Sequence, residues 1–309
     1  RQDDFATNLE DDMRMASLFG RMRWGAVSAG LLAAMLLSLS GPASAQGIAT
    51  TRHNLGSAGT TNRASDTAEV CVFCHTPHGG ATTAPVPLWN KRLATVGPAG
   101  GGSYTTYDTL QLPSLDGTTA AVGSISLACL SCHDGTQAMD NVINAPGSGG
   151  FAADGGGNDG RAWAWTGATV DTATGRMTNA GDRISMLGTD LSNDHPIGIQ
   201  YCGGGLAGAG ATVSGTCRDS DFVAPLTQVT NTNQVFWVET GGVGKQRTDL
   251  PLYQRATGGL GPMVECGSCH DPHVSTGQAG PPTTGRTSGD TFLRISNAES
   301  AVCRACHVK

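Results

Sequence analysis

The chain has 309 residues, a formal net charge of −6 at neutral pH and 45 glycines, while only 5% of residues are aromatic and 14% are charged. So few large apolar side chains argue against an ordinary hydrophobic core, and the low charge is equally unlike a typical disordered protein. The acidic balance provides no basic field, which excludes nucleic acid and an anionic membrane surface as electrostatic partners.

The N-terminal region predicts a secretory leader. Basic residues precede an apolar run over residues 24–39, and small residues that suit a cleavage site end at Ala45. We therefore interpret residues 13–45 as a signal peptide, residues 1–12 as an upstream mis-start and residues 46–309 as the mature protein. The apolar run is short for a membrane span, so no stable membrane anchor is expected.

Four copies of Cys-x-x-Cys-His dominate the rest of the sequence. This pattern is typical of c-type haem attachment, because two thiols one turn apart bond the porphyrin vinyl groups and the adjacent histidine ligates iron. One copy would also suit a zinc half-site or a redox dithiol, but four copies predict four covalently attached haem c groups. The copies are Cys71, Cys74 and His75 (motif I), Cys129, Cys132 and His133 (motif II), Cys266, Cys269 and His270 (motif III), and Cys303, Cys306 and His307 (motif IV).

The histidine count predicts the second axial ligand of each iron. The chain has eight histidines, and the four outside the motif positions are His53, His78, His195 and His273. One extra imidazole per iron predicts bis-histidine ligation, which leaves no open iron for catalysis and suits electron transfer by a protein that is not an enzyme. Ligation by histidine and methionine is the alternative, since Met139, Met177, Met186 and Met263 also follow the leader.

The ligands recur in the same order twice. The first set, which ends at residue 133, is an isolated histidine, then a motif with an extra histidine three residues beyond the proximal one, then a plain motif. The same set recurs from residue 195. This order predicts two di-haem halves, about 46–140 and 190–309, joined by a Gly-rich segment. The extra histidines, His78 and His273, cannot easily reach the far face of their own iron, so we expect each to ligate a neighbouring haem.

Cys202 and Cys217 have no following histidine and flank a Gly-rich stretch. In an exported protein, two such cysteines predict a structural disulfide. Closing this loop would restrict the unfolded chain by about 3 kcal/mol.

The predicted fold is mostly irregular and loop-rich, with short helices at the haem motifs, a few short strands and the haem chain as its core. Strands are expected within residues 196–201 and 234–239, where apolar residues partly alternate. Residues 97–103 and 144–160 are expected to be loops. Asp154 and Asp159 suggest calcium, but a solvated turn is the favoured interpretation.

Three segments resemble a known family. They are the run from Arg52 to Leu55, the block from Val70 to His78 with Pro87 to Asn90, and the run from Ser192 to Pro196. They resemble extracellular multihaem cytochromes of the doubled Cys-x-x-Cys-His class, especially tetrahaem members that polymerise into cytochrome nanowires. The resemblance implies a filament in which haems stack from subunit to subunit and one haem per protomer takes a histidine from its neighbour. His53 is the expected donor of that histidine.

Together these features predict extracellular electron transfer by a secreted or cell-surface tetrahaem cytochrome that forms a homopolymer. Its partners would be upstream periplasmic or outer-membrane cytochromes and extracellular electron acceptors. A soluble periplasmic tetrahaem shuttle is the main alternative, and a multihaem reductase is a weaker one because it needs an open iron.

Overall fold

Short elements joined by long connections make up this protein. The computed structural model describes residues 47–91, 93, 104–145, 163–180, 185–206, 216–242, 244–255, 262–273 and 292–308. The predicted leader, the loop over residues 97–103, nearly all of the loop over residues 144–160 and the Asp154–Asp159 turn lie outside these residues.

The described helices lie mainly at the Cys-x-x-Cys-His motifs. The regular helices are α1 (Ser124–His133), α2 (Cys266–Cys269) and α3 (Ala301–Cys306), with 3-10 turns at Ile48–Thr50, Tyr107–Leu110 and Ala298–Ser300. A further helical turn, Tyr201–Gly204, is irregular because Cys202 and Gly203 have φ angles of 68° and 61°. Motifs II, III and IV therefore lie on helices, as predicted, whereas motif I forms a single turn.

The strands form three small antiparallel sheets. They are β1 (Arg63–Ala64), β2 (Trp165–Thr166), β3 (Ile199–Gln200), β4 (Leu226–Thr230), β5 (Asn233–Val238), β6 (Leu250–Leu252) and β7 (Met263–Val264), paired as β1-β2, β3-β7 and β4-β5-β6. Asn231 and Thr232 connect β4 to β5 with φ angles of 47° and 67°. Positive φ at both positions characterises the two-residue turn whose twist suits a tight hairpin. The strand predicted at residues 234–239 is present as β5, shifted by one residue. Within residues 196–201, only the two residues of β3 form a strand.

A first core lies beside motifs I and II. Its buried members are Leu55, Ala64, Phe73, Met139, Trp165, Val170 and Met177, and Cys74 and Cys132 pack against it. The β1-β2 pair brings residues 165–166 onto residues 63–64. Part of the segment that the sequence suggested as a linker between two halves therefore packs into the first half. Composition argued against an ordinary hydrophobic core. It counts apolar residues but does not show that residues widely separated in the chain pack together.

A second core lies beside motif IV. It contains Tyr201, Cys202, Phe236, Val238, Leu250 and Leu252, and Cys306 packs against it. The structure joins Cys202 to Cys217 by the disulfide that the sequence predicts. Residues 46–309 form one compact unit, so the two proposed di-haem halves lie within the same unit.

We expect the double variant Cys202→Ser/Cys217→Ser to lower the free energy of unfolding by about 3 kcal/mol, because the unfolded chain gains the freedom of the opened loop. Denaturant unfolding of the oxidised proteins measures this difference. Wild-type protein unfolded in the presence of a thiol reductant is the control and should approach the variant's midpoint. An unchanged midpoint in the variant would contradict a stabilising disulfide.

Candidate haem sites

Each motif places its two thiols and its histidine on one turn of backbone. The amide of His75 donates to the carbonyl of Cys71 at 2.8 Å, that of His270 to Cys266 at 3.0 Å, and that of His307 to Cys303 at 2.9 Å. Motif II lies at the C-terminal end of α1. This one-turn geometry is what attachment of two vinyl groups and an adjacent axial histidine requires.

Consecutive motifs adjoin one another in chain order. Between motifs I and II, burial and then the nearby Cys132 thiol together raise the pKa of Cys74 to about 12. Between motifs II and III, the thiols of Cys129 and Cys266 lie close enough to interact, since Cys266 raises the pKa of Cys129 and Cys129 lowers the pKa of Cys266. Between motifs III and IV, burial and then the nearby Cys306 thiol together raise the pKa of Cys269 to about 12. The four motifs thus form a continuous series, I to IV.

A buried polar network connects motif II to motif III. The Ser126 hydroxyl on α1 donates to Glu265 Oε2 at 2.6 Å, and the Cys266 amide donates to Ser126 Oγ at 3.0 Å. Arg255 Nε donates to Glu265 Oε1 at 2.9 Å, so the buried carboxylate is both paired and hydrogen-bonded. Glu265 also caps α2 through a reciprocal contact with Ser268. This satisfied network holds α1 against α2.

Three of the extra histidines lie beside proximal histidines of the motifs. The ring centres of His53 and His133 are 6.0 Å apart. The ring centres of His75 and His273 are also 6.0 Å apart. Two imidazoles sharing one metal, with bonds of about 2 Å and a nitrogen about 1 Å from each ring centre, would have centres roughly 6 Å apart. Both ring pairs therefore have the separation that two axial ligands of one iron require.

A third neighbour pair involves His195 and motif IV. Burial lowers the pKa of His195, and the nearby His307 lowers it further. The Phe222 ring lies 4.8 Å from the His307 ring, which packs the proximal imidazole from one side. The arrangement suits His195 as the partner of His307.

Hydrogen bonds at Nδ1 orient four of the imidazoles. The acceptors are the Pro87 carbonyl for His75 at 2.8 Å, the Ser185 carbonyl for His133 at 2.6 Å, the Pro196 carbonyl for His195 at 3.0 Å, and Asp271 Oδ1 for His273 at 3.2 Å. When Nδ1 carries the proton, the lone pair remains on Nε2 and is available to a metal. Metal-ligating histidines in proteins are commonly held in this way.

Burial keeps two of the central imidazoles neutral. It lowers the pKa of His53 to about 4, and it also lowers the pKa of His133. Neutral imidazole is the form that binds metal. His273 differs, since its hydrogen bond with Asp271 raises its pKa. His53 Nδ1 is buried and makes no hydrogen bond to the described residues, so a polar atom of this ring is left unsatisfied.

His53 packs against residues of its own chain, and its expected role as the ligand donated to another subunit stays a prediction. Its ring stacks on Phe292 at 4.1 Å and faces His133. The ring of His78, by contrast, is exposed, while its backbone carbonyl accepts hydrogen bonds from Thr76 Oγ1 at 2.9 Å and Asn144 Nδ2 at 3.1 Å. His270 is exposed as well.

The donor set fits covalently attached haem. Eight cysteines other than the disulfide pair are free, and they are those of the four motifs. The described residues contain no cluster of three or more His, Cys, Asp or Glu side chains suited to a metal ion, but a haem iron needs only two axial ligands from the protein because the porphyrin supplies four nitrogens. Met139 and Met177 are core residues, and Met263 is buried in β7. In the part of the chain that the structure describes, no helix is long and apolar enough to cross a membrane.

Sequence reasoning missed the groups that orient the ligands. Asp271 is one such group, and its position between two candidate ligands, His270 and His273, was a usable signal. Pro87 and Ser185 act through backbone carbonyls, and Phe292 acts by stacking, so no residue pattern identified them. No protein-family model matches the chain, and a search of curated proteins found no match.

We expect the mature protein to carry four haems, and the double variant Cys129→Ala/Cys132→Ala to carry three, because that variant lacks both thioether attachments at motif II. Mass spectrometry of the denatured proteins measures the covalently bound groups. The Cys202→Ser/Cys217→Ser variant is the matched control and should retain all four. An unmodified wild-type polypeptide from a host competent in haem attachment would contradict the assignment.

We expect His273→Ala to convert one low-spin haem into a high-spin haem, because removing one axial ligand opens the iron opposite His75. Electronic absorption and electron paramagnetic resonance spectra measure the spin state, and added carbon monoxide should bind only the variant. Gln228→Ala, at an exposed position of β4, is the control. A fully low-spin variant would show that His273 is not an axial ligand.

Proposed function

We propose that this protein is a tetrahaem c-type cytochrome that transfers electrons outside the cell along closely spaced bis-histidine haems, as the subunit of a polymeric filament. The observation that carries the proposal is the continuous series of four Cys-x-x-Cys-His motifs, each adjoining the next in chain order. Electron transfer needs redox groups close together, and this series provides the attachment points for such a chain.

The protein's own residues would fix position and ligation. When bound, the haems would supply one-electron oxidation and reduction at iron. The paired cysteines would tether each porphyrin, and the Nδ1 hydrogen bonds of residues such as His75 and His133 would hold the imidazoles in place. Ligands held in this way move little when the iron changes oxidation state, which favours rapid transfer.

The histidine positions support a specific ligand scheme. His75 would pair with His273 at motif I, His133 with His53 at motif II, and His307 with His195 at motif IV. His273 would then ligate a haem other than that of its own motif, as its spacing from His270 predicts. The exposed His78 replaces His53 as the candidate ligand for a haem of an adjoining subunit.

Exposure at the two ends of the series supports polymerisation. Cys71 of motif I and Cys303 of motif IV are exposed, whereas the cysteines of motifs II and III are partly buried. Haems at the terminal motifs would therefore have accessible edges. Contact between motif I of one copy and motif IV of the next would continue the electron path from subunit to subunit.

Electron microscopy of the secreted, haem-staining fraction tests this proposal. We expect uniform haem-containing filaments, whose reconstruction would identify the histidine that crosses the interface. Dispersed particles under native conditions would instead support the soluble periplasmic shuttle, in which one chain supplies all eight ligands. A spectral change on adding nitrite or carbon monoxide to the wild-type protein would support the reductase.

We expect His78→Ala to retain four covalent haems but to form few or no filaments, because the exposed imidazole would no longer reach the adjoining subunit. Negative-stain electron microscopy and sedimentation measure assembly. Thr83→Ala, an exposed change five residues away, is the control and should assemble normally. Normal filaments from His78→Ala would exclude His78 as the donated ligand.

A further inference from the structure

A lysine lies fully buried in the first half of the protein. Lys91 has 0% of its surface exposed. Its ammonium group donates to the carbonyl of Ala138 at 2.8 Å and to that of Met139 at 3.2 Å. Burial of a charged ammonium is costly unless other groups compensate for the lost water, so two neutral carbonyls are a sparse environment for this cation.

No acidic side chain among the described residues forms an ion pair with Lys91. The ion pairs within 4.0 Å involve Arg255, His273, Arg294 and Arg304 as the basic partners. The adjacent buried acid, Asp140, directs Oδ2 to the Trp163 amide at 3.0 Å and to Trp165 Nε1 at 3.1 Å. Asp140 therefore bonds these two tryptophans and not the ammonium.

Lys91 lies between motifs I and II. The preceding residue, Asn90, donates its amide to the Cys74 carbonyl at 2.8 Å and its Nδ2 to the Val72 carbonyl at 2.6 Å, which anchors the segment on motif I. The carbonyl of Met139, which Lys91 bonds, belongs to a residue of the same core against which Cys74 and Cys132 pack. The cation also lies close enough to Cys74 to act on its thiol electrostatically.

We propose that Lys91 is a fixed buried cation that raises the reduction potential of the haem attached at motif I. This inference rests on the proposed function. When ferric haem accepts one electron from an external reductant, its net positive charge falls by one unit, so a nearby cation repels the reduced form less than the oxidised form. The effect is strong at a buried site because the surroundings screen charge less than water does. The haems at motifs III and IV, farther along the series, are affected less.

Potentiometric titration of the holoprotein, followed by absorption, tests this role. Lys91→Met keeps the length of the side chain and removes its charge. We expect the equilibrium constant for reducing one of the four haems to fall at least tenfold, which is about 59 mV for a one-electron couple. Lys245→Met removes the same charge from an exposed position and is the matched control, with all four potentials unchanged.

Haem content is measured first, so that a failure of the proposed function can be distinguished from a failure of the proposed role of Lys91. A wild-type protein without haem would overturn the proposed function itself. A Lys91→Met protein with four haems and unchanged potentials would overturn only the role of Lys91. Lys91→Gln, which can still donate to the two carbonyls, is used if Lys91→Met does not assemble. Failure of both neutral variants to bind four haems would show that Lys91 is an architectural cation, which also overturns the inference.

Discussion

The proposed haem ligation depends on one constraint, the separation of paired imidazole rings. His53 and His133, and likewise His75 and His273, have ring centres 6.0 Å apart. Two imidazole rings that share a metal have centres about this far apart, and aromatic rings in direct contact cover a range of distances that includes it. The first pair has an interplanar angle of 77° and the second an angle of 23°. Either angle is compatible with ligation, because rotating a ring about the line through the two coordinating nitrogens would change neither nitrogen–metal bond.

The surrounding structure explains how these rings are held. Carbonyls and one carboxylate accept hydrogen bonds from Nδ1, and two small cores pack against motif cysteines from opposite ends of the series. The Arg255–Glu265–Ser126 network then holds motif II against motif III in the middle. A chain with few large apolar residues thereby concentrates its packing and its buried polar contacts at the proposed haem attachments. Loops account for most of the remaining described residues.

Buried charge is distributed unevenly along the series. Lys91, without a bonded carboxylate, lies near motifs I and II, whereas Glu265 near motifs II and III is neutralised by Arg255. A fixed charge alters the free energy of adding an electron nearby, and it does so more strongly in the interior than in water. Under the proposed function, this difference would give the haems different potentials, even though the four Cys-x-x-Cys-His motifs are chemically alike.

Local patterns were sufficient to predict some parts of this protein. The turn or helix at each Cys-x-x-Cys-His motif, the strand now seen as β5 and the pairing of Cys202 with Cys217 each follow from residues close in sequence or from residue counts. The eight-histidine count likewise identified the candidate ligands. It did not identify their partners, because each pairing joins distant segments, as in His75 with His273. Nor did it show that the His53 ring packs against Phe292 and lies near His133 of its own chain.

The amino-acid sequence by itself determined the four Cys-x-x-Cys-His motifs, on which the proposed haem attachment rests, because two cysteines and a histidine on one turn are a local property. Only the tertiary structure decided which histidines face each other, which ones stay exposed, and where a buried lysine lies. Those outcomes depend on contacts such as β1 with β2 and Asn90 with Val72, which bring together segments far apart in the chain. Their physical basis is packing and burial, and no short sequence pattern encodes either.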